Sequence, residues 1–167
     1  MPADSFEKSL KSVAVLIADG NGYMRRTARS MLMHLGVRSI RDVDDGIAAL
    51  EQIRTWNPDV MLLDYDLPAV NGIDVMRTVR SPGVFPRPDL PTIMVTNGIS
   101  RSRAIEAMKA GAHELLVKPI SPKALSDRLR SVLVNPRPLM RVGAYYVPKP
   151  RPPAAAGEAR GGPGALA

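Results

Sequence analysis

Short apolar runs without polar alternation, separated by helical stretches, constrain the fold of this chain most strongly. Four such runs and a weaker fifth candidate occupy residues 13–18, 60–63, 92–95, 115–117 and 39–43. Runs of this kind are typical of strands buried on both faces, as in parallel sheets. The pattern therefore predicts five strands in one parallel sheet.

Apolar residues at helical spacing fill the stretches between these runs. Five stripes mark five helices: Met24, Ala28, Met31, Leu32 and Leu35, ending at Gly36; Ile47, Leu50 and Ile53; Ile73, Met76 and Val79; Ile105 and Met108; and Leu125, Leu129, Val132 and Leu133. Ser121 and Pro122 suit the start of the last helix. The alternation predicts an α/β fold, with a doubly wound five-stranded parallel sheet between two helical layers.

Composition divides the chain near Asn135. Residues 135–167 contain 7 of the 16 prolines and carry a net charge of +4 from 5 basic and 1 acidic residues, whereas residues 1–134 carry +3 from 18 and 15. We therefore predict an N-terminal segment at 1–11, one domain at 12–134, and a Pro/Gly/Arg-rich tail at 135–167 that is partly disordered.

The sequence also excludes several classes of site and location. There is no cysteine, which excludes disulfides and thiolate metal sites. No apolar run approaches the roughly 20 residues that span a bilayer, and the N-terminus has no secretion signal. No helix-turn-helix pattern indicates a DNA-binding domain. We expect a soluble cytoplasmic protein.

Polar side chains follow four of the predicted strands where each strand ends. Asp19 follows the first strand, Asp64 the third, Thr96 the fourth and Lys118 the fifth. In open parallel sheets, ligands bind at the edge that the carboxyl ends of the strands form. Two carboxylates suit a hard cation such as Mg²⁺, and a hydroxyl with an ammonium suits a phosphoryl group. The set predicts phosphoryl transfer onto a carboxylate, and Asp66, two residues beyond Asp64, is a candidate third acid.

The stretches at 15–21, 58–72, 91–98 and 111–121 resemble response-regulator receiver domains of the chemotaxis-regulator type. The resemblance covers residues 12–134 and implies the flavodoxin-like (βα)5 receiver fold. It implies that Asp64 is the phosphoacceptor, that Thr96 and Lys118 contact the phosphoryl group, and that Lys118–Pro119 is a cis peptide. It implies a two-component signalling protein, with no enzymatic activity beyond phosphorylation and dephosphorylation of Asp64 itself.

The same resemblance implies the ligands and the partners. Asp19, Asp64 and the backbone carbonyl of Asp66 would bind Mg²⁺. A histidine kinase or phosphotransfer protein would donate the phosphoryl group. A downstream protein would bind the fourth helix, fifth strand and fifth helix, a face with basic Arg101, Arg103 and Lys109 nearby. A homodimer is compatible with the family.

Three residues depart from the family pattern. Gly20 replaces the second of two adjacent acids, which predicts a weakened Mg²⁺ site, and Asn97 replaces a small residue. Leu115 replaces the aromatic residue that moves inward on activation. We hypothesise that the Asp66 side chain compensates for the acid missing at Gly20.

Two alternatives stay open at this point. The chain is a pseudo-receiver, a phosphorylation-independent binding module, if the departures have abolished phosphorylation. Its tail resembles those of alphaproteobacterial single-domain regulators, and its basic residues would then bind cyclic di-GMP: Arg137, Arg141, Lys149 and Arg151. Alternatively, Asp64 and Asp66 are the nucleophile and the general acid of a phosphatase of the haloacid-dehalogenase type.

Overall fold

A five-stranded parallel sheet forms the centre of the molecule. The computed structural model describes residues 3–98 and 100–151. The central strands are β1 (Ala14–Ala18), β2 (Ser39–Val43), β3 (Val60–Asp64), β4 (Thr92–Thr96) and β5 (Glu114–Val117). Their order is β2-β1-β3-β4-β5, with every neighbouring pair parallel. This is the flavodoxin-like order, so the predicted fold class is confirmed.

Six helices cover the two faces of this sheet. They are α1 (Ala3–Leu10), α2 (Gly22–Leu35), α3 (Gly46–Trp56), α4 (Gly72–Val79), α5 (Arg101–Ala110) and α6 (Pro122–Val134). Val15 and Ile17 of β1 pack with α1, α2 and α6, while Leu16 and Ala18 pack on the side of α3, α4 and α5. None of the helices in the described ranges has the length and apolar character needed to cross a bilayer.

Side-chain caps start the helices directly after the loops that follow the strands. The Ser121 hydroxyl accepts a hydrogen bond from the Ala124 N–H at 3.1 Å, with Pro122 opening α6, so this predicted helix start is confirmed. Asn21, Asp45, Asn71 and Ser100 cap four other helices in the same way. Each cap contributes about 1 kcal/mol and fixes where its helix begins.

The predicted stripe of α5 is not the buried face of its helix, and one residue of the α3 stripe is exposed. Ile105 of α5 is 43% exposed and Ile47 of α3 is 62% exposed, whereas Ile53 of α3 is 1% exposed. The residues packed inward include Ala49 and Ile53 on α3 and Ala107 and Ala110 on α5. On α5, small side chains let the helix approach its neighbours closely, so the bulkier Ile105 is left on the outer side.

The N-terminal segment at 1–11, for which the sequence predicted no element, contains the helix α1. Phe6 and Leu10, one helical turn apart, are buried against the face formed by α2 and α6. The guanidinium of Arg130 stacks on the Phe6 ring at 4.4 Å. A helix of only eight residues carries too little periodicity to be recognised, and its stability comes from this packing.

Part of the predicted tail forms a hairpin for which the sequence predicted no element. Strands β6 (Leu139–Val142) and β7 (Tyr145–Pro148) form an antiparallel hairpin. Gly143 has φ of 60°, the left-handed conformation that a tight turn requires. Residues 152–167, to which the prediction of disorder also applied, lie outside the described residues.

The hairpin is held by the body of the domain rather than by its own core. The Tyr146 N–H donates to the Arg80 carbonyl at 3.2 Å, and the Arg137 guanidinium donates to the His113 carbonyl. Pro148 is buried. A two-stranded hairpin alone is only marginally stable, so these contacts with residues far away in the sequence are what order the segment.

A buried arginine supports the loops next to this hairpin. Arg80 is 0% exposed. Its guanidinium donates to the carbonyls of Gly111 at 3.1 Å, Pro88 at 2.8 Å and Leu90 at 2.7 Å. Burial lowers the pKa of Arg80 to about 9, which leaves it charged at neutral pH. One side chain thus satisfies three carbonyls that would otherwise be buried without a partner.

His113 completes this network as a neutral imidazole. Its Nδ1 accepts hydrogen bonds from Arg80 Nη2 at 3.1 Å and from the Thr92 N–H at 3.2 Å. Burial, together with the charges of Arg80 and Arg137, lowers the pKa of His113 to about 3. Protonation of Nδ1 would break both hydrogen bonds, so the folded protein excludes the proton.

Acidification is therefore expected to destabilise the fold through His113. The unfolded chain takes up a proton below its ordinary pKa of 6.5 and the folded chain only near 3, so stability present above 6.5 is lost as the pH falls. Between pH 7.5 and 5, this amounts to about 2 kcal/mol. Urea unfolding at the two pH values should show a smaller loss for His113→Asn. An identical loss would mean that His113 does not cause the pH dependence.

Candidate functional site

The carboxyl edge of the sheet brings together Asp19, Asp64, Thr96 and Lys118, as the sequence predicted. Asp64 and Thr96 are the last residues of β3 and β4, whereas Asp19 and Lys118 directly follow β1 and β5. The Lys118 Nζ lies 2.9 Å from Asp19 Oδ2 and 3.4 Å from Asp64 Oδ2. Two carboxylates therefore share one ammonium group at this edge.

Backbone contacts fix the orientation of both carboxylates. Asp19 Oδ1 accepts from the Asn21 N–H at 2.8 Å, and Asp64 Oδ1 accepts from the Asp66 N–H at 3.2 Å. The Lys118 N–H donates to the Thr96 carbonyl at 2.8 Å, and the Lys118–Pro119 peptide is cis. Each carboxylate thus has one oxygen bound by its own loop and the other turned toward Lys118.

Burial and neighbouring charges shift the pKa values of Asp64 and Lys118. Burial raises the pKa of Asp64, the charge of Asp19 raises it further, and Lys118 opposes both effects. Burial alone would lower the pKa of Lys118, but its hydrogen bond to Asp19 and the two carboxylate charges raise it instead. Lys118 is therefore charged at neutral pH and stabilises the ionised form of Asp64.

Asp66 has its carboxylate outside this group. Arg103 binds it with both terminal nitrogens, at 2.9 Å and 3.2 Å. Among residues 3–98 and 100–151, no three His, Cys, Asp or Glu side chains are grouped so that they could hold a metal ion. This arrangement does not support the hypothesis that the Asp66 side chain replaces the missing acid, and the phosphatase hypothesis needs the same carboxylate free.

The two remaining carboxylates fit a magnesium ion. A cleft of about 560 Å³ opens at this edge, lined by Asp19, Gly20, Asn21, Met24, Asp64, Asp66, Pro68, Asn97, Lys118 and Pro119. Mg²⁺ is usually bound by one or two carboxylates together with waters and phosphate oxygens. Asp19 and Asp64 would hold it with the Asp66 backbone carbonyl, so the site meets this requirement without an acid at position 20.

Gly20 lies close to the Pro68 ring, which leaves little room for a side chain. A Cβ at this position would lie 3.0 Å from Pro68 Cδ and 3.1 Å from Cγ, closer than most Cβ contacts. Any side chain there would require Pro68 to move by a few tenths of an ångström. The loss of the acid is thus accompanied by a close approach of two loops.

Three residues lie at the site although the sequence did not place them there, and Arg103 was predicted only as part of the partner-binding face. Arg103 also lies 3.4 Å from Thr96 Oγ1 and stacks on the Tyr65 ring at 4.4 Å, and the Tyr65 hydroxyl donates to Glu106. The sequence pattern places Arg103 and Glu106 on a helix but does not indicate which loop that helix contacts. Their role at the site depends on packing between α5 and the loop after β3, for which no local signal exists.

The basic residues predicted for nucleotide binding serve the structure of the tail. Arg137 donates to the carbonyl oxygens of His113 and Lys149, Arg141 donates to the Gly143 carbonyl, and Arg151 pairs with Glu114. These contacts occupy guanidinium groups that a cyclic di-GMP site would need. Binding of this nucleotide therefore stays a sequence-based prediction without structural support.

Known proteins share this domain. Residues 15–130 match the family described as response regulator receiver domain. Chemotaxis protein CheY-3 of Vibrio cholerae is 30% identical over 122 residues, covering 73% of this chain and 92% of that protein. Chemotaxis protein CheY1 of Helicobacter pylori is 33% identical over 121 residues, covering 71% and 95%.

Solved structures of response regulators have the same fold as this chain. A putative response regulator from Chloroflexus aurantiacus superposes with a TM-score of 0.68 at 28% identity, covering 74% of this chain and 98% of its own. V. cholerae chemotaxis protein CheY4 superposes with a TM-score of 0.65 at 27% identity, covering 72% and 98%. Helix α1 and the hairpin lie outside the family match at 15–130. The chain belongs to the response regulator receiver domain family, whose CheY-type members are signalling proteins rather than classical enzymes.

Proposed function

We propose that this protein is a phosphorelay response regulator that accepts a phosphoryl group on Asp64 from a histidine kinase or a phosphotransfer protein. The observation that carries the proposal is the buried Asp64 carboxylate, whose Oδ2 lies 3.4 Å from the Lys118 Nζ. The same ammonium group lies 2.9 Å from Asp19 Oδ2. A carboxylate nucleophile needs a nearby cation to offset the charge of the incoming phosphoryl group. Lys118 meets this need.

The chemistry follows from the positions of the side chains. A carboxylate oxygen of Asp64 would attack the phosphorus of a phosphohistidine, the P–N bond would break, and the electron pair would stay on the histidine nitrogen. Lys118 would neutralise a phosphoryl oxygen, and the Thr96 hydroxyl would donate to another. Mg²⁺ bound by Asp19, Asp64 and the Asp66 carbonyl would supply further charge neutralisation on the phosphoryl oxygens.

Signalling would proceed through protein contacts at α5, β5 and α6, in the cytoplasm. Phosphorylation adds a charge of about −1.5 to −2 next to Thr96, which ends β4, and Lys118, which follows β5. The loops after these strands lead into α5 and α6, so a shift in either loop reaches this face. Arg101 and Lys109 on α5 favour an acidic downstream partner, and the same face would serve in a homodimer.

The direct test is intact-protein mass spectrometry after incubation with acetyl phosphate. We expect the wild-type protein to gain one phosphate adduct in the presence of Mg²⁺, and much less of it with EDTA. The Asp64→Asn variant, which keeps the size of the side chain, should gain none. An adduct that persists in Asp64→Asn would place the acceptor elsewhere.

A phosphorylation-independent pseudo-receiver is the second candidate. Gly20 and Leu115 favour it, because the first removes an acid and the second removes the aromatic residue of the usual switch. Absence of any adduct in the wild-type protein, together with undetectable Mg²⁺ binding, would favour this candidate over the phosphorelay function.

A further inference from the structure

We propose that Arg103 is a positioning residue that holds the Asp66 carboxylate out of the metal-binding cleft, and that the site gains a third carboxylate when Arg103 is displaced. The inference rests on the proposed function, since the metal concerned is the one that would assist phosphoryl transfer. The inference is that Arg103, a residue of α5, determines how many carboxylates are available to bind the metal.

The contact between Arg103 and Asp66 is bidentate and directional, although both side chains are partly exposed. Nη1 lies 2.9 Å from Asp66 Oδ2 and Nη2 lies 3.2 Å from Oδ1, so the guanidinium occupies both carboxylate oxygens. Two parallel N–H···O bonds fix the plane and the direction of the carboxylate. In this state both oxygens of the Asp66 carboxylate are bound by Arg103.

A second contact holds the guanidinium in place. Its plane stacks on the Tyr65 ring at 4.4 Å, and the Tyr65 hydroxyl is itself bound by Glu106, one turn further along α5. Arg103 is therefore held by the residue preceding Asp66 as well as by Asp66. These contacts of Arg103 with Tyr65 and Asp66 connect the first turn of α5 to the loop that follows β3.

Asp66 is in the right place for a metal ligand but in the wrong orientation. It lines the same cleft as Asp19 and Asp64. Yet the three carboxylates are not grouped as a metal site in the described part of the chain. Since Gly20 supplies no acid, Asp66 is the nearest carboxylate in sequence to Asp64 that could raise the negative charge of the cleft. In the described part of the chain, its recorded side-chain partner is Arg103, and we assign its orientation to this pairing.

The displacement of Arg103 has a natural trigger in the same contacts. Arg103 Nη1 lies 3.4 Å from Thr96 Oγ1, the hydroxyl that would turn toward a phosphoryl group. A movement of Thr96, or of the first turn of α5 when a partner binds there, would change the position of the guanidinium. By linkage, a partner that displaced Arg103 would tighten metal binding, and metal binding would favour the partner.

The test is a double-mutant cycle read out as the affinity for Mg²⁺, measured calorimetrically by titration with MgCl₂ and without phosphorylation. Arg103→Met keeps the length of the side chain and frees Asp66, and we expect it to tighten Mg²⁺ binding by about tenfold. Asp66→Asn alone should change the affinity by less than about twofold, because Arg103 already occupies that carboxylate. In the Asp66→Asn background, Arg103→Met should lose most of its effect.

Removing a cation near the cleft also favours Mg²⁺ electrostatically, so a matched charge control is needed. Arg101→Met removes the same charge from the same helical turn and should change the affinity little, because the described residues show no hydrogen bond or ion pair between Arg101 and Asp66. A gain of equal size in Arg101→Met, or in the Asp66→Asn background, would overturn the proposal. So would unchanged or undetectable Mg²⁺ binding in Arg103→Met, given a circular dichroism spectrum that shows a folded protein.

The acetyl phosphate experiment separates this proposal from the proposed function. An absent adduct would reject phosphorylation of Asp64 but leave the Mg²⁺ cycle readable, because Asp19, Asp64 and Asp66 are intact in Arg103→Met. A normal adduct with no coupling between Arg103 and Asp66 would retain the function and reject the role of Arg103.

Discussion

Replacing Lys118 with Met is expected to slow phosphorylation of Asp64 by about 100-fold and to lower the free energy of unfolding at pH 7 by about 3 kcal/mol. Its ammonium group is the cation shared by Asp19 and Asp64, and its side chain is 9% exposed. Without it, two buried carboxylates face each other with no counter-charge, and an incoming phosphoryl group meets uncompensated negative charge. Single-turnover phosphorylation with acetyl phosphate and urea unfolding measure the two effects.

The loss of stability in Lys118→Met should shrink on acidification. Burial and the charge of Asp19 already raise the pKa of Asp64, and removal of Lys118 would raise it further. A carboxyl group whose folded pKa is raised destabilises the fold when it is ionised, and this penalty disappears as the pH falls through the folded pKa. Stability of variant and wild type should therefore converge as the pH falls below 7.

Lys123→Met is the matched control for this substitution. Lys123 makes an exposed pair with Asp127 one turn along α6, at 2.9 Å. Exposed pairs of this spacing contribute only about 0.3–0.5 kcal/mol. A large effect of Lys123→Met, or a Lys118→Met variant as stable as the wild type at pH 7, would contradict the role given to the buried ammonium group.

Replacing Arg80 with Met is expected to lower the free energy of unfolding by about 4 kcal/mol. The guanidinium is fully buried and donates to the carbonyls of Gly111, Pro88 and Leu90. Met fills a similar volume but leaves these carbonyls without a donor. Urea unfolding measures the loss, and the m-value shows whether unfolding still exposes the same surface.

Arg77→Met on the same helix tests whether burial is the cause. Arg77 is half-exposed and lies 3.5 Å from Asp74, so its loss should cost less than about 0.5 kcal/mol. If Arg80→Met cost as little as Arg77→Met, the carbonyls would have found other partners, and the buried guanidinium would not be what supports the loops beside the hairpin.

Local patterns predicted the framework because the signals that determine it lie within single elements. Apolar runs of three to six residues marked four of the strands, and polar residues at their ends marked Asp19, Asp64, Thr96 and Lys118 as one site. Parallel strands place their carboxyl ends at one edge, so order along the chain converts directly into proximity. The same reasoning was weaker for α5, where alanines rather than Ile105 face inward.

The sheet, the site at the carboxyl ends of its strands and the capped start of α6 could be predicted from the sequence, because each depends on periodicity or on a short motif. Tertiary packing decided which residue binds the Asp66 carboxylate, because Arg103 reaches it across a separation of 37 residues. It also decided that residues 139–148 form a hairpin and that Arg80 is buried, 31 residues from Gly111. Such contacts depend on how elements pack, and no local pattern encodes the partner that a long charged side chain reaches.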